Sequence, residues 1–421
     1  MRASSLSARS MLRAFFVAVA CLLSQSAWAG PYSLSGDQRW IALASRQDLN
    51  QAIGIAQTFI WRLSGVRVMQ SANGWYAVVA GPHDGTDIRA VRQKLSSTGT
   101  APKDMALSKG DAYVAEVWTK KAPEFLFSGE YEGGEKPALY SYRDLNLTLS
   151  RVRSKDNDDY DPTFSASRNG KILFNVQIEE LNREEPRSDV IALRLDPAIA
   201  SPQFVFTAFT GGAHCCTETR FITQAGEAWR VVEGEILDAG GYWFEDIDGD
   251  GIYEILSADN SFYYAYASYA DSRAPIRIHV LRDGVLLDVT NDPKYESLRR
   301  QKIHAMEFEM ANNSELVTSN GFLAAWVATK ALVGELDEAW ARMMGTYNSS
   351  SDWPLSECMV ELDAKGLCPP GKEIALSYPS ALRKHLEKSG YIQTAAKPAG
   401  TPAPAVKISP APPTSAFSLP P

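Results

Sequence analysis

The sequence lacks the local signatures of common catalytic sites. It has no Gly-x-Ser-x-Gly elbow, no His-Glu-x-x-His pair and no Gly-x-Gly-x-x-Gly dinucleotide fingerprint. Histidine is scarce, with five residues scattered over 421. We therefore predict no catalytic residues. A glycosidase needs only two well-placed carboxylates, however, and the chain has 50 acidic side chains from which such a pair could come.

A basic run and a second long apolar stretch are also missing. The formal net charge is −8, which argues against nucleic acid or an anionic membrane as a partner. The apolar run 14–23 follows three arginines and precedes the small residues Ala27 and Ala29, as in a cleavable signal peptide at 1–29. Cys21 would suit lipidation, but the apolar run continues past it. We expect a periplasmic or secreted protein without membrane insertion after cleavage.

Four cysteines remain after that cleavage. An even number in an oxidising compartment favours disulfides, and Cys358 and Cys368 lie close enough in sequence to pair. Adjacent Cys215 and Cys216 fit a vicinal disulfide best. With His214 they could instead bind copper or zinc, provide a reactive thiol, or stay as buried free thiols.

Composition divides the mature chain into four regions. A chain of this length is too long for one core, so several domains are expected. The fold class predicted is α+β multidomain. The regions are an alternating strand–helix domain at 37–118, a β-rich domain (sandwich or partial propeller) at 125–300, a small helical, disulfide-closed domain at 301–392 and a disordered Ala/Pro-rich tail at 393–421.

The first domain reads as strand, helix, strand, strand, helix, strand. Asp48 is placed to cap the first helix, and Asn73-Gly74 suits a hairpin turn between the second and third strands. Two helices cover only one face of a four-stranded sheet, so we expect the other face to be open.

The segments 40–45 and 73–82 resemble a SPOR domain, most specifically in Gly74-Trp75-Tyr76 and Gly81-Pro82. The resemblance implies a ferredoxin-like βαββαβ fold and binding of peptidoglycan glycan strands on the open face. This sequence has Ala42 where that family often has glutamine, and no arginine at Ala77 or Val79. The implied glycan-binding residues are Trp40, Ala42, Trp75, Ala77 and Val79.

The sharpest local motif lies at residues 246–254. Its carboxylates fall at positions 1, 3, 5 and 9, a carbonyl falls at position 7, and two glycines allow a tight turn, which together suit Ca²⁺. The predicted ligands are Asp246, Asp248, Asp250, Ile252 and Glu254. The spacing resembles the calcium loops of FG-GAP and integrin-type repeats, with strands on both sides. The motif at 211–216 resembles a Gly-Gly-x-His-Cys-Cys signature of uncharacterised exported bacterial proteins, which implies no activity.

The aromatic run Phe262, Tyr263, Tyr264, Tyr266 and Tyr269 has two interpretations. It could form a platform for sugar rings, although alternating aromatic residues in a β-region more often build a sheet core and its rim.

The predicted function combines these features. We expect an exported cell-envelope protein that binds peptidoglycan glycan, with a β-rich domain that is stabilised by structural Ca²⁺ and serves as a scaffold or a surface for another envelope protein. The alternative is a peptidoglycan hydrolase or inhibitor with its site in the β-rich domain.

Overall fold

The computed structural model describes residues 30–392 apart from short gaps. The gaps are at residues 61, 98–99, 122–124, 156–158, 180–185, 212–214, 239, 362 and 364–366. The predicted signal peptide and the predicted tail therefore lie outside the described residues. The described part is an α+β structure with six α-helices and twenty β-strands. The described residues divide into two compact units, one that ends at Lys120 and one that begins at Lys121.

The N-terminal unit alternates strands with two helices. Its elements are β1 Gln38–Arg46, α1 Leu49–Phe59, β2 Arg67–Ser71, β3 Tyr76–Asp84, α2 Ile88–Ser97, β4 Ala106–Ser108 and β5 Tyr113–Thr119. The strands form one antiparallel sheet in the order β4-β1-β3-β2-β5. The Asp48 carboxylate accepts the Gln51 N–H at 2.8 Å, so the predicted cap of α1 is present.

Both faces of this sheet are buried, which corrects the prediction of an open face. One face packs against α1 and α2 through a cluster that includes Ile41 and Val78. On the other face, Trp40, Ala77 and Val79 are 4%, 6% and 0% exposed. They form a second cluster together with Met69 of β2 and Tyr113 of β5.

The segment that precedes β1 covers the second face. Tyr32 and Leu34 pack against the second cluster, and the Leu34 N–H donates to the Lys109 carbonyl at 2.8 Å. The Trp40 indole N–H donates to the Tyr32 carbonyl at 3.1 Å, so its polar atom is satisfied inside the unit. Three of the five predicted glycan-binding residues are therefore inaccessible. Ala42 is half-buried, and Trp75 is 40% exposed beside the hairpin turn.

The second unit begins with three antiparallel sheets. Their strands are β6 Phe127–Tyr131, β7 Ala138–Tyr142, β8 Leu145–Arg153, β9 Tyr160–Arg168, β10 Lys171–Gln177, β11 Ser188–Leu193, β12 Gln203–Phe209, β13 Thr217–Ala225, β14 Ala228–Glu233, β15 Trp243–Glu245, β16 Glu254–Ala258, β17 Ile276–Arg282 and β18 Val285–Asp288. The sheet orders are β10-β9-β8-β7, β14-β13-β12-β11-β6 and β15-β16-β17-β18.

The five-stranded sheet lies between the two four-stranded sheets. Successive side chains of a strand point to opposite faces. Phe204 and Phe206 of β12 thus share a core with Phe164 of β9. Val205, between them, packs in another cluster with Ile255 of β16. This layering places the end of the third sheet, and the acidic loop between β15 and β16, beside the helical region.

The helical region starts earlier than predicted. Its elements are α3 Glu296–Asn312, α4 Asn320–Ala331, α5 Leu336–Thr346, β19 Ser356–Cys358, β20 Glu373–Ala375 and α6 Tyr378–Lys388. The predicted boundary between residues 300 and 301 falls inside α3. Phe262 and Tyr266 from the loop after β16 pack in the same cluster as Trp326 of α4, so the β-rich and helical regions share one core. None of the described helices is both long and apolar enough to cross a membrane.

Both predicted cysteine pairs are joined in the structure. The Cys358–Cys368 disulfide has an S–S distance of 2.06 Å and connects β19 to the loop before β20. The Cys215–Cys216 disulfide lies just before β13, where the Cys216 N–H donates to the Thr210 hydroxyl at 2.8 Å. His214 lies outside the described residues, so the alternative of a metal site that includes it is not addressed.

Candidate metal centre

The acidic loop connects β15 to β16 and brings three carboxylates together. Asp246, Asp248 and Glu254 each offer one oxygen atom, and these atoms all lie within 4.8 Å of one another. The three residues are only 2–3% exposed. Carboxylate oxygens are the ligands that Ca²⁺ prefers, so this group has the chemistry of a site for a hard cation.

Backbone N–H groups fix the shape of the loop. The Asp246 carboxylate accepts the N–H groups of Gly249, Asp250 and Gly251 at 2.7, 3.0 and 3.1 Å. Gly249 and Gly251 have φ values of 75° and 87°, a region that favours glycine because it has no Cβ. The spacing of glycines and aspartates therefore folds the loop around the first carboxylate.

Two of the predicted ligands lie outside the converging group. Asp250 is exposed, and its Oδ1 accepts the Ile252 N–H at 2.8 Å. This bond stabilises the turn that precedes Glu254. The structure thus brings together three of the predicted side chains, while the other two positions shape the loop.

A cation from the same chain contacts the cluster. The ammonium of Lys294, which comes just before α3, forms an ion pair with Asp248. It lies 3.8 Å from a Glu254 oxygen. The next residue, Tyr295, donates its hydroxyl hydrogen to Glu254 Oε1 at 3.0 Å, and the Ile247 N–H donates to Oε2 at 2.7 Å. Sequence reasoning missed Lys294 and Tyr295, because no spacing rule links them to a loop forty residues earlier.

The electrostatics show excess negative charge in this cluster. Burial, together with the nearby Asp248 charge, raises the pKa of Glu254 to about 7. Burial also raises the pKa of Asp246. Burial acts to lower the pKa of Lys294, but the contact with Asp248 outweighs it and the pKa is raised. One ammonium against three buried carboxylates leaves a formal charge of −2 when all four groups are ionised.

A serine–histidine contact elsewhere in the second unit is a second candidate site. His385 of α6 lies between two hydroxyls: Ser261 contacts its Nε2 and Tyr266 its Nδ1, both at 2.8 Å. The Ser261 hydroxyl also donates to Asp259 Oδ1 at 2.6 Å. Burial lowers the pKa of His385 and raises that of Tyr266, so the imidazole is neutral and the phenol is protonated at pH 7.

These contacts determine the proton positions. The Ser261 hydroxyl donates its hydrogen to the Asp259 carboxylate, so Ser261 accepts at its contact with Nε2, which assigns the imidazole proton to Nε2. Nε2–H then donates to Ser261, and Ser261 donates to Asp259. A catalytic base needs the reverse polarity, in which the imidazole accepts the serine proton. The arrangement instead joins α6 to the loop after β16.

The fold and the acidic loop define an α+β protein with three stacked sheets and a buried carboxylate cluster. Comparison with known proteins identifies its relatives. A family model described as the sll0997 C-terminal domain matches residues 296–390. The probable thylakoid lumen protein sll0997 of Synechocystis sp. is 31% identical over 353 residues, which cover 81% of this chain and 94% of that protein. The chain therefore belongs to the sll0997 family.

A second relative is longer. The uncharacterized protein y4bJ of Sinorhizobium fredii is 37% identical over 381 residues, which cover 88% of this chain. This chain spans 60% of the length of y4bJ. No solved structure matches.

These matches overturn the resemblances drawn from short motifs. The matching family is the sll0997 C-terminal domain, and neither the family nor the two relatives support a SPOR domain, an FG-GAP repeat or a Gly-Gly-x-His-Cys-Cys family. The physical reason is clearest in the first unit, where the residues taken for a glycan-binding face are core residues.

Proposed function

We propose that this protein acts outside the cytoplasm as a cation-stabilised scaffold, with Ca²⁺ bound by Asp246, Asp248 and Glu254. The observation that carries the proposal is the convergence of three buried carboxylates within 4.8 Å. Like charges held this close in a poorly solvated place repel one another strongly. A divalent cation would remove that repulsion, whereas the single ammonium of Lys294 offsets only part of it.

Three observations support an exported location. The first 29 residues have the pattern of a signal peptide. The Cys358–Cys368 disulfide suits an oxidising compartment. The relative in Synechocystis sp. is named a probable thylakoid lumen protein. Binding of peptidoglycan glycan, a further envelope partner and the alternative of a wall hydrolase or inhibitor stay predictions, and the sheet face assigned to the glycan is buried.

Calcium binding is tested on the purified protein after removal of divalent ions with EGTA. We expect CaCl₂ to bind with measurable heat and to raise the melting temperature, because an ion that binds only the folded state stabilises it. At 100 times the dissociation constant the gain is about 2.7 kcal/mol, which corresponds to about 5–10 °C for a unit of this size.

The matched variants are Asp246→Asn and Asp104→Asn. The first replaces a buried ligand and should abolish the response to calcium, since the amide carries no charge. The second changes an exposed aspartate in a turn of the N-terminal unit and should leave the response intact. Equal calcium responses in both variants, or no response in the parent protein, would reject the site.

A further inference from the structure

The aromatic run after β16 divides into two groups. Phe262 and Tyr266 are 1% and 4% exposed and belong to the core shared with the helices. Tyr263 and Tyr269 are half-buried and line a cavity of about 390 Å³. The loop after β16 thus places some of its aromatic rings in the core and others in the lining of an accessible pocket.

The pocket is formed within the second unit, between the third sheet and this loop. Trp243 of β15 and Ile276 of β17 contribute from the sheet. Tyr263 and Tyr269 contribute from the loop, with ring centroids 5.1 Å apart and planes tilted by 37°. Tyr264, which is 49% exposed, lies with its ring 5.9 Å from that of Tyr269. A volume of this size is within the range of small-molecule pockets, which is about 300–1,000 Å³.

Charges of both signs line the same cavity. Asp238 is 8% exposed, and its backbone N–H donates to the Asn260 side-chain oxygen at 3.0 Å. Arg273 is exposed, and its guanidinium donates to the carbonyl oxygens of Ala270 and Ser272 at 3.3 and 2.9 Å. Burial and the Asp238 charge raise the pKa of Tyr269, which agrees with a carboxylate close to the rings.

The carboxylate of Asp238 and the guanidinium of Arg273 together disfavour a purely cationic or a purely anionic ligand. The rings and Asp238 would attract a quaternary ammonium ion, but the guanidinium of Arg273 opposes it. An anion would meet Asp238. A neutral ligand with hydroxyl groups can donate to the carboxylate and accept from the guanidinium, while its C–H face lies against an aromatic ring.

We infer that the pocket formed by Trp243, Tyr263, Tyr269, Asp238 and Arg273 binds a short neutral saccharide. The aromatic rings pack against the apolar face of a pyranose ring. Asp238 and Arg273 hydrogen-bond its hydroxyl groups and so set its orientation. This pocket is separate from the acidic loop and does not depend on calcium binding there.

The inference is tested with the full chain and named probes: chitobiose, cellobiose, maltose and trehalose as neutral saccharides, choline as a cation and inorganic phosphate as an anion. Binding is measured by saturation-transfer NMR and by the fluorescence of tryptophan, since Trp243 lines the cavity. We expect at least one saccharide to bind saturably, and neither choline nor phosphate to compete with it.

Variants separate the pocket from the rest of the surface. Tyr269→Ala should weaken the binding at least tenfold, because it removes a ring, whereas Tyr269→Phe keeps the ring and should stay within about threefold. Arg273→Gln alters an exposed side chain with little risk to folding and should weaken binding several-fold. Phe308→Ala removes an aromatic ring that is 71% exposed on α3, outside the pocket lining, and should have no effect.

Three results would overturn the inference. They are the absence of binding by all four saccharides, binding of choline or phosphate in their place, and binding that responds equally to Tyr269→Ala and Phe308→Ala. A folded Arg273→Gln protein with unchanged saccharide affinity would also remove the role given to the guanidinium.

Discussion

Replacing Lys294 by methionine tests how far its ammonium offsets the negative charge of the acidic cluster. Methionine keeps an apolar stem of similar length and removes the ammonium that pairs with Asp248. The carboxylates of Asp246, Asp248 and Glu254 then stay buried without that cation. We expect the metal-free variant to be less stable than the parent and to bind Ca²⁺ more tightly.

The magnitude follows from the exposure of the two partners. Breaking a buried ion pair by removing one partner costs about 3–5 kcal/mol, while an exposed pair contributes about 0–1 kcal/mol. Asp248 is 3% exposed and Lys294 is 36% exposed, so we expect an intermediate loss of about 2 kcal/mol in the free energy of unfolding. Calcium must displace the ammonium in the parent protein but not in the variant, and a saving of about 1.4 kcal/mol would tighten binding tenfold.

The assay is urea unfolding with and without calcium, combined with calorimetric titration of CaCl₂. Lys171→Met is the control, since it removes an exposed lysine at the first residue of β10 in the same unit. The reasoning is refuted if Lys294→Met binds calcium more weakly than the parent. It is also refuted if the variant unfolds at the same urea concentration as Lys171→Met.

Two further predictions concern burial. Burial holds the pKa of His385 below its unfolded value of about 6.5, so the folded state binds fewer protons and the free energy of unfolding should fall as the pH drops below about 6.5. In urea unfolding, His385→Gln should lose less of that free energy between pH 7 and pH 5 than the parent protein. An equal loss would count against a neutral imidazole. Trp40→Ala should lower the free energy of unfolding by about 3–5 kcal/mol because Trp40 is in the core. Trp75→Ala at the exposed turn should lower it by less than about 0.5 kcal/mol. Similar melting temperatures for the two variants would contradict the buried second face.

The order of elements in the N-terminal unit was predictable because it depends on local signals. The Asp48 cap and the turn at Asn73 and Gly74 fixed the start of α1 and the β2–β3 hairpin. The covered face was not predictable from the same signals. It depends on Tyr32 and Leu34, which lie in the segment before β1 and reach the sheet only through tertiary contacts.

The sheet also has a strand more than expected. The predicted last strand corresponds to β5, which pairs with β2 at one edge. The short β4 pairs with β1 at the opposite edge. A strand of three residues is too short to show an alternating pattern, so β4 was not predicted from the sequence.

The acidic loop shows the same division between local and distant information. Its donors lie within nine residues, and their spacing predicted the three carboxylates that meet, but it also included Asp250, which lies outside the group. The positive charge that balances them comes from Lys294, which tertiary structure brings to the loop. A motif therefore specifies the donor atoms of such a site, while tertiary structure decides whether a side chain competes with a metal for them. If Ca²⁺ binds these carboxylates as proposed, it replaces the ammonium of Lys294, and this exchange would couple metal binding to the start of α3.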